Sequence, residues 1–379
     1  MLAPDSFKES LPAADVCAAL ERGVREAAGD AEVRCVPMAD GGEGTLTTLV
    51  GATGGRRVAV TVAGPLGTPV DASFGLLGDG TTAVVELAAA SGLELVPVVE
   101  RDVRRSTSHG TGELMRAALD AGATRLVVGI GGSATNDGGA GLLVALGARV
   151  LDASGHPVRP GGEGLHDVDR IDWSGLDPRL REVRLEVAGD VDNPLLGPRG
   201  ASAVFGPQKG ASDDVVADLE AALARWADVV AASGEDHRET PGAGAAGGTG
   251  FALLQLGAAL RPGVELVADV VGLRAAMEGA DLVITGEGRV DAQTLHGKTP
   301  AGVLAVARSV GVPVVVLGGA VGPGAEQVLD AGAIAVLPIA DGATVPADLL
   351  DPDVTAANLQ RTARSVVTLW LAARGSTGG

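Results

Sequence analysis

Hydrophobic residues recur along this chain in short runs that end at glycine or proline, and the runs are of two kinds. Uninterrupted ones, at residues 126–130, 282–285, 313–317 and 334–339, suit parallel strands buried on both faces. Alternating ones, RRVAVTVAG, VDASFGLL and TTAVVELA between residues 56 and 95, suit strands of a different sheet. Between them lie helical stretches. Residues 11–28 place Val16, Leu20 and Val24 on one face at i, i+4 spacing, with Ser10 as N-cap. Residues 32–38 then read as a strand, and 214–231 as an amphipathic helix. Strand, helix, strand order at the start and again in the tail predicts an α/β protein.

Polar residues gather where the uninterrupted runs stop. The run at 126–130 ends in GGSATNDGGAG, where Gly131, Gly132, Ser133, Thr135, Asn136 and Asp137 occupy the strand end, the usual place for ligands in open α/β sheets. Its glycines let backbone N–H groups approach an anion closely. The run before residue 190 ends in Asp190, Asp192 and Asn193; two carboxylates at i, i+2 suit a hard cation or the acceptance of a hydroxyl proton. ADGGEG sets Asp40 and Glu43 around two glycines, TGEGRVD holds Glu287 and Arg289, and GAGAAGG, with Gly247 and Gly248, opens into a helix in the manner of an anion cradle. His109 is a further candidate base.

Composition sharpens this. Of 29 basic residues only three are lysine, Lys8, Lys209 and Lys298, and each falls in a loop-like motif, DSFK, GPQKG or HGKTP. A chain that otherwise uses arginine keeps lysine where a compact point charge is wanted. The formal net charge of -19 repels nucleic acid and anionic membranes, so an anionic substrate must meet a local cation or a metal ion. No run reaches the roughly 18 apolar residues that span a bilayer, which predicts a soluble, cytoplasmic protein. Cys17 and Cys35 make neither a disulfide framework nor a metal cluster.

One alternative is a nicotinamide enzyme: Gly129, Gly131 and Ala134 match G-x-G-x-x-A, and Asp152 follows at the distance of a ribose-binding acid. Against it, residues 135–139 delay the helix. A non-catalytic small-molecule binding protein is the other alternative. HGKTP nearly completes a phosphate loop but has Ala292 where the first glycine belongs.

Taken in order, DSFK, ADGGEG, GGSATNDGG, DVDNPL, FGPQKG, GAGAAGG and TGEGRVD with HGKTP resemble the bacterial type I glycerate kinase family across nearly the whole chain. The resemblance implies ATP- and Mg2+-dependent phosphorylation of D-glycerate to 2-phosphoglycerate, or 3-phosphoglycerate, in glyoxylate, glycerate or sugar-acid degradation. It also implies two α/β domains, one flavodoxin-like (Rossmann-like) and one restriction-endonuclease-like. The strand pattern adds a connectivity. Residues 1–55 plus 275–379 form the flavodoxin-like domain, 56–274 are inserted, and the active site lies in the cleft between the domains, in a monomer or homodimer. Family members begin with more apolar residues before APDSFK than the two found here, which bears on the first strand.

Asp190 and Asp192 are then the Mg2+ ligand and the proton acceptor, in either order. Lys8, Lys298 and Arg289 are assigned to the transferred phosphate and the glycerate carboxylate. Asp5, Ser6, Asp40, Glu43, Asn193, Lys209, Glu287 and the glycine loops line the binding sites, and which loop takes ATP stays open.

Overall fold

The computed structural model describes residues 1–340 and 350–376. The chain divides into two compact units, Gly41–Gly263 and a unit made from both ends, Met1–Asp40 with Val264–Gly379.

The Gly41–Gly263 unit is built on a six-stranded sheet. Its strands are β1 (Arg56–Ala63), β2 (Pro69–Leu76), β3 (Thr82–Glu86), β4 (Arg125–Gly129), β7 (Arg184–Ala188) and β8 (Ala259–Arg261), in the spatial order β1-β2-β3-β4-β7-β8. β1 to β3 are antiparallel and the pairs from β3 through β8 are parallel. The alternating and uninterrupted patterns therefore meet in one sheet instead of two. Alternation marks its half-exposed antiparallel edge; continuous apolarity marks β4, whose Leu126, Val127 and Val128 are wholly buried at its centre. β5 (Arg149–Leu151) and β6 (Arg170–Asp172) pair only with each other, as a separate antiparallel ribbon.

The two-ended unit holds a parallel sheet of β9 (Val283–Val290), β10 (Val314–Val321) and β11 (Ala335–Pro338), in the order β11-β10-β9. Leu2 extends it, bridging in parallel to Ile284 on one side and Cys35 on the other. The strand expected over residues 32–38 is thus reduced to a single bridge, supported by hydrogen bonds from Val36 N to Leu2 O and from Met38 N to Pro4 O. The helix Ala13–Ala27 covers this sheet together with Pro352–Ser376. Gly23 lets the two helices touch, because a Cβ there would lie 2.0 Å from Gln360 O.

Several local expectations shift. Ser10 caps no helix: its hydroxyl donates to Thr355 Oγ1 at 2.8 Å, and Pro12 takes the N-cap position. The first segment of the two-ended unit stops at Asp40 where the sequence placed it near residue 55, because the helix Thr45–Thr53 packs on β2 through Leu46 and Val50, which crowd Gly75. Its second segment begins at Val264, ahead of residue 275. Among the described residues no helix is long and apolar enough to cross a membrane.

Candidate active site

Each unit gathers polar residues at the C-terminal ends of its parallel strands. In the Gly41–Gly263 unit the loop after β4 folds against the loops after β7 and before the helix Ala245–Gln255. A cavity of about 220 Å3 opens there, lined by Gly131, Gly132, Ser133, Asp190 and Lys209, with Ala245 and Ala246 behind. Lys209 is 2% exposed, and its ammonium donates to Ser133 Oγ at 2.8 Å and to Thr135 O at 2.7 Å. Burial pushes it down to about 7, against the pull of the Asp137 charge.

Asp137 holds the loop in place. Its Oδ2 accepts from Ser108 N at 2.8 Å, Ser108 Oγ at 2.9 Å, Thr107 Oγ1 at 3.3 Å and Gly141 N at 3.2 Å, while Oδ1 accepts from Gly139 N at 3.1 Å. So many donors on one buried carboxylate leave it an anchor, where the sequence had it touching ligand. Asn136 donates to Ser202 Oγ at 3.0 Å, and its buried amide oxygen has no partner among the described residues. Gly247 and Gly248 press on the back of the same loop: a Cβ on Gly247, whose φ is 66°, would lie 1.9 Å from Thr135 O. Their work is close packing, and Gly247 O accepts from Gly138 N at 3.0 Å.

The acid pair separates. Asp190 lines the cavity, and its Oδ1 accepts from Gly263 N at 3.0 Å. Asp192 is 75% exposed on its side chain and forms an ion pair with Arg199 at 2.9 Å, whose carbonyl also takes the Asn193 amide at 2.7 Å. Glu43 is exposed. Nearby, Glu86, which no sequence motif marks, ends β3 with Oε1 accepting from Leu46 N at 2.9 Å, and burial raises its pKa. His109 lies 3.7 Å from Glu113.

In the two-ended unit Asp5 lies three residues past the Leu2 bridge, beside Glu287 of β9, and Asp5 N donates to Gly286 O at 2.9 Å. Asp5 Oδ1 accepts from Ser6 N at 2.6 Å and Oδ2 from Thr299 Oγ1 at 2.5 Å. Burial, joined by the Asp40 charge, overcomes those hydrogen bonds and raises Asp5 to about 6. Glu287 Oε1 accepts from Thr294 Oγ1 at 2.7 Å, and Lys298 Nζ lies 3.4 Å from Oε2. Burial raises Glu287 as well, with the Asp5 charge adding to it. Lys8 Nζ is 4.0 Å from Asp40, and Arg289 is tied to Asp291 at 2.8 Å. Lys298 occupies the N-cap position of the helix Thr299–Val310. Thr299 stood beside Lys298 in HGKTP and could have been picked out there; Thr294 carried no signal.

The dinucleotide alternative fails on topology. Asp152 follows β5, which belongs to the separate ribbon, and its Oδ1 closes a turn by accepting from Ser154 N at 2.9 Å and His156 N at 2.8 Å.

No group of three or more His, Cys, Asp or Glu among the described residues could hold a metal alone. One carboxylate at the cavity does fit a Mg2+ that keeps waters and takes its other ligands from substrate phosphates.

A buried lysine and a carboxylate at the ends of parallel strands, lining a cavity the size of a small metabolite, are equipment that suits an α/β phosphotransferase. The sequence pattern of the glycerate kinase family matches residues 1–371. The chain is 52% identical over 368 residues to a glycerate kinase of Bacillus subtilis, covering 97% of this chain and 96% of that one. It is 51% identical over 321 residues to the glycerate 2-kinase of Escherichia coli, covering 84% of each. A crystal structure described as glycerate kinase 2, from Salmonella typhimurium LT2, superposes with a TM-score of 0.91 at 48% identity, over 99% of this chain and 98% of that one. The chain belongs to the glycerate kinase family.

Proposed function

We propose that this chain transfers the γ-phosphoryl group of ATP to the 2-hydroxyl of D-glycerate, in the cytoplasm, within glyoxylate, glycerate or sugar-acid degradation. The observation that carries the reading is the buried Lys209 ammonium, held on Ser133 and Thr135 beside Asp190 in a cavity of about 220 Å3, a space suited to a three-carbon acid.

Phosphoryl transfer asks mainly for positioning and for neutralisation of charge. Lys209, with the Gly131–Gly132 amides, binds the glycerate carboxylate. Lys8 and Lys298 meet the transferred phosphate, with Arg289 as the outer cation. Asp190 would hold Mg2+, which when bound neutralises charge on the phosphates; Asp192, engaged by Arg199, drops out of that pair. The hydroxyl proton passes to Asp5, whose raised value near 6 suits a base at neutral pH.

Phosphorus NMR of the protein with ATP, Mg2+ and D-glycerate tests this. A new phosphomonoester signal coupled to one proton supports the 2-hydroxyl, and coupling to two protons moves the reading to the 3-hydroxyl. Intact ATP overturns it.

A further inference from the structure

The Gly41–Gly263 unit holds a second and larger cavity, of about 610 Å3, that the catalytic reading leaves unused. Its size falls in the range of pockets that enclose drug-sized ligands. Val150 and Leu165 are buried in its wall, with Val158 beside them and Val144 at the surface, 40% exposed. The wall is apolar and the rim is cationic. Arg149 and Arg159 stand there, held loosely by acids at 3.5 to 3.8 Å, and the exposed Arg105 makes no side-chain hydrogen bond or ion pair among the described residues. His109 adds a flat ring at the start of the 12-residue helix His109–Asp120.

The same loop serves both cavities. Gly131 to Ser133 line the smaller one, and Ala140 and Gly141, a few residues on, line the larger. Asp137 lies between these segments and is bonded to Gly141 N and Thr107 Oγ1, both belonging to residues of the larger cavity's wall.

We propose that this larger cavity takes the adenosine end of the nucleotide. An apolar slot with a stacking ring suits a purine, an uncommitted arginine at its mouth suits an anionic phosphate, and the shared loop joins it to the glycerate cavity. The assignment rests on the kinase reading and decides what that reading leaves open, namely which loops hold ATP.

Photolabelling with 8-azido-ATP, followed by peptide mapping, tests it directly. Label within residues 105–109 or 140–165, competed away by ATP, is expected. Steady-state kinetics give the second measurement. Arg105→Ala and Val144→Trp, both at exposed positions, should each raise the KM for ATP about tenfold or more while the KM for D-glycerate and the thermal midpoint stay within error. Label elsewhere, or an unchanged KM for ATP in both variants with turnover intact, overturns the cavity assignment and leaves the kinase standing. Wild-type protein that labels in this cavity but never phosphorylates glycerate overturns the kinase reading instead.

Discussion

Thr299 donates a 2.5 Å hydrogen bond to Asp5, a residue 294 positions earlier in the chain, and this contact restrains the rise in pKa that burial drives. The hydroxyl favours the charged form, whereas burial and the Asp40 charge oppose it, and burial wins at about 6. If Asp5 takes the glycerate proton, kcat/KM falls as pH drops through about 6, because the base becomes protonated. Thr299→Ala removes the stabilising donor and should move that acidic limb up by roughly one pH unit. A pH profile of the purified variant checks it; an unmoved limb removes Asp5 from the role.

Lys209, whose pKa is shifted down where that of Asp5 is shifted up, makes a prediction about stability. Its folded value near 7 lies below the ordinary 10.5, so between those values the unfolded chain binds the extra proton and stability rises with pH. Lys209→Met abolishes that slope. Urea unfolding of both proteins at pH 7 and pH 10 should show the wild type gaining on the variant by something on the order of 3 kcal/mol. Turnover in the variant should fall at least about a hundredfold at either pH.

The two acids that the sequence coupled are expected to differ sharply. Asp190→Asn should lower kcat by about two orders of magnitude or more. Asp192→Asn, which only frees an exposed arginine, should stay within about threefold of wild type. Equal losses in parallel assays would restore the pair.

Gly23 is the packing test. A methyl group there meets Gln360 O at 2.0 Å, so Gly23→Ala must push the helices Ala13–Ala27 and Pro352–Ser376 apart at a cost of about 1–3 kcal/mol. Thermal unfolding monitored by circular dichroism reads the loss.

Most of the parallel core was legible because its signal is local. Leu126 to Val128 and the runs that became β9 and β10 could only be buried strands, and the polar clusters at their ends followed from that. Motif order did the rest for the family. What stayed hidden depends on contacts between distant segments. Nothing around Asp192 announces Arg199 as its partner, and no pattern in GAGAAGG distinguishes a glycine that meets a ligand from Gly247, which meets Thr135 O. The antiparallel edge was legible as strands, yet alternation carries no information about which sheet they join. The larger cavity left no mark at all, since nothing in the spacing of Val144, Val158 and Leu165 sets them apart from other apolar positions.

Leu2 has its bridge partners at Cys35 and Ile284, so the segment from Leu2 to Asp5 lacks one side until β9 has been made. On the ribosome, Gly41–Gly263 has all its strands first and can close its own core while the opening forty residues wait. Phe7, Leu11, Val16 and Leu20 lack their core partners Ile284, Val315 and Leu317 for the whole of that interval.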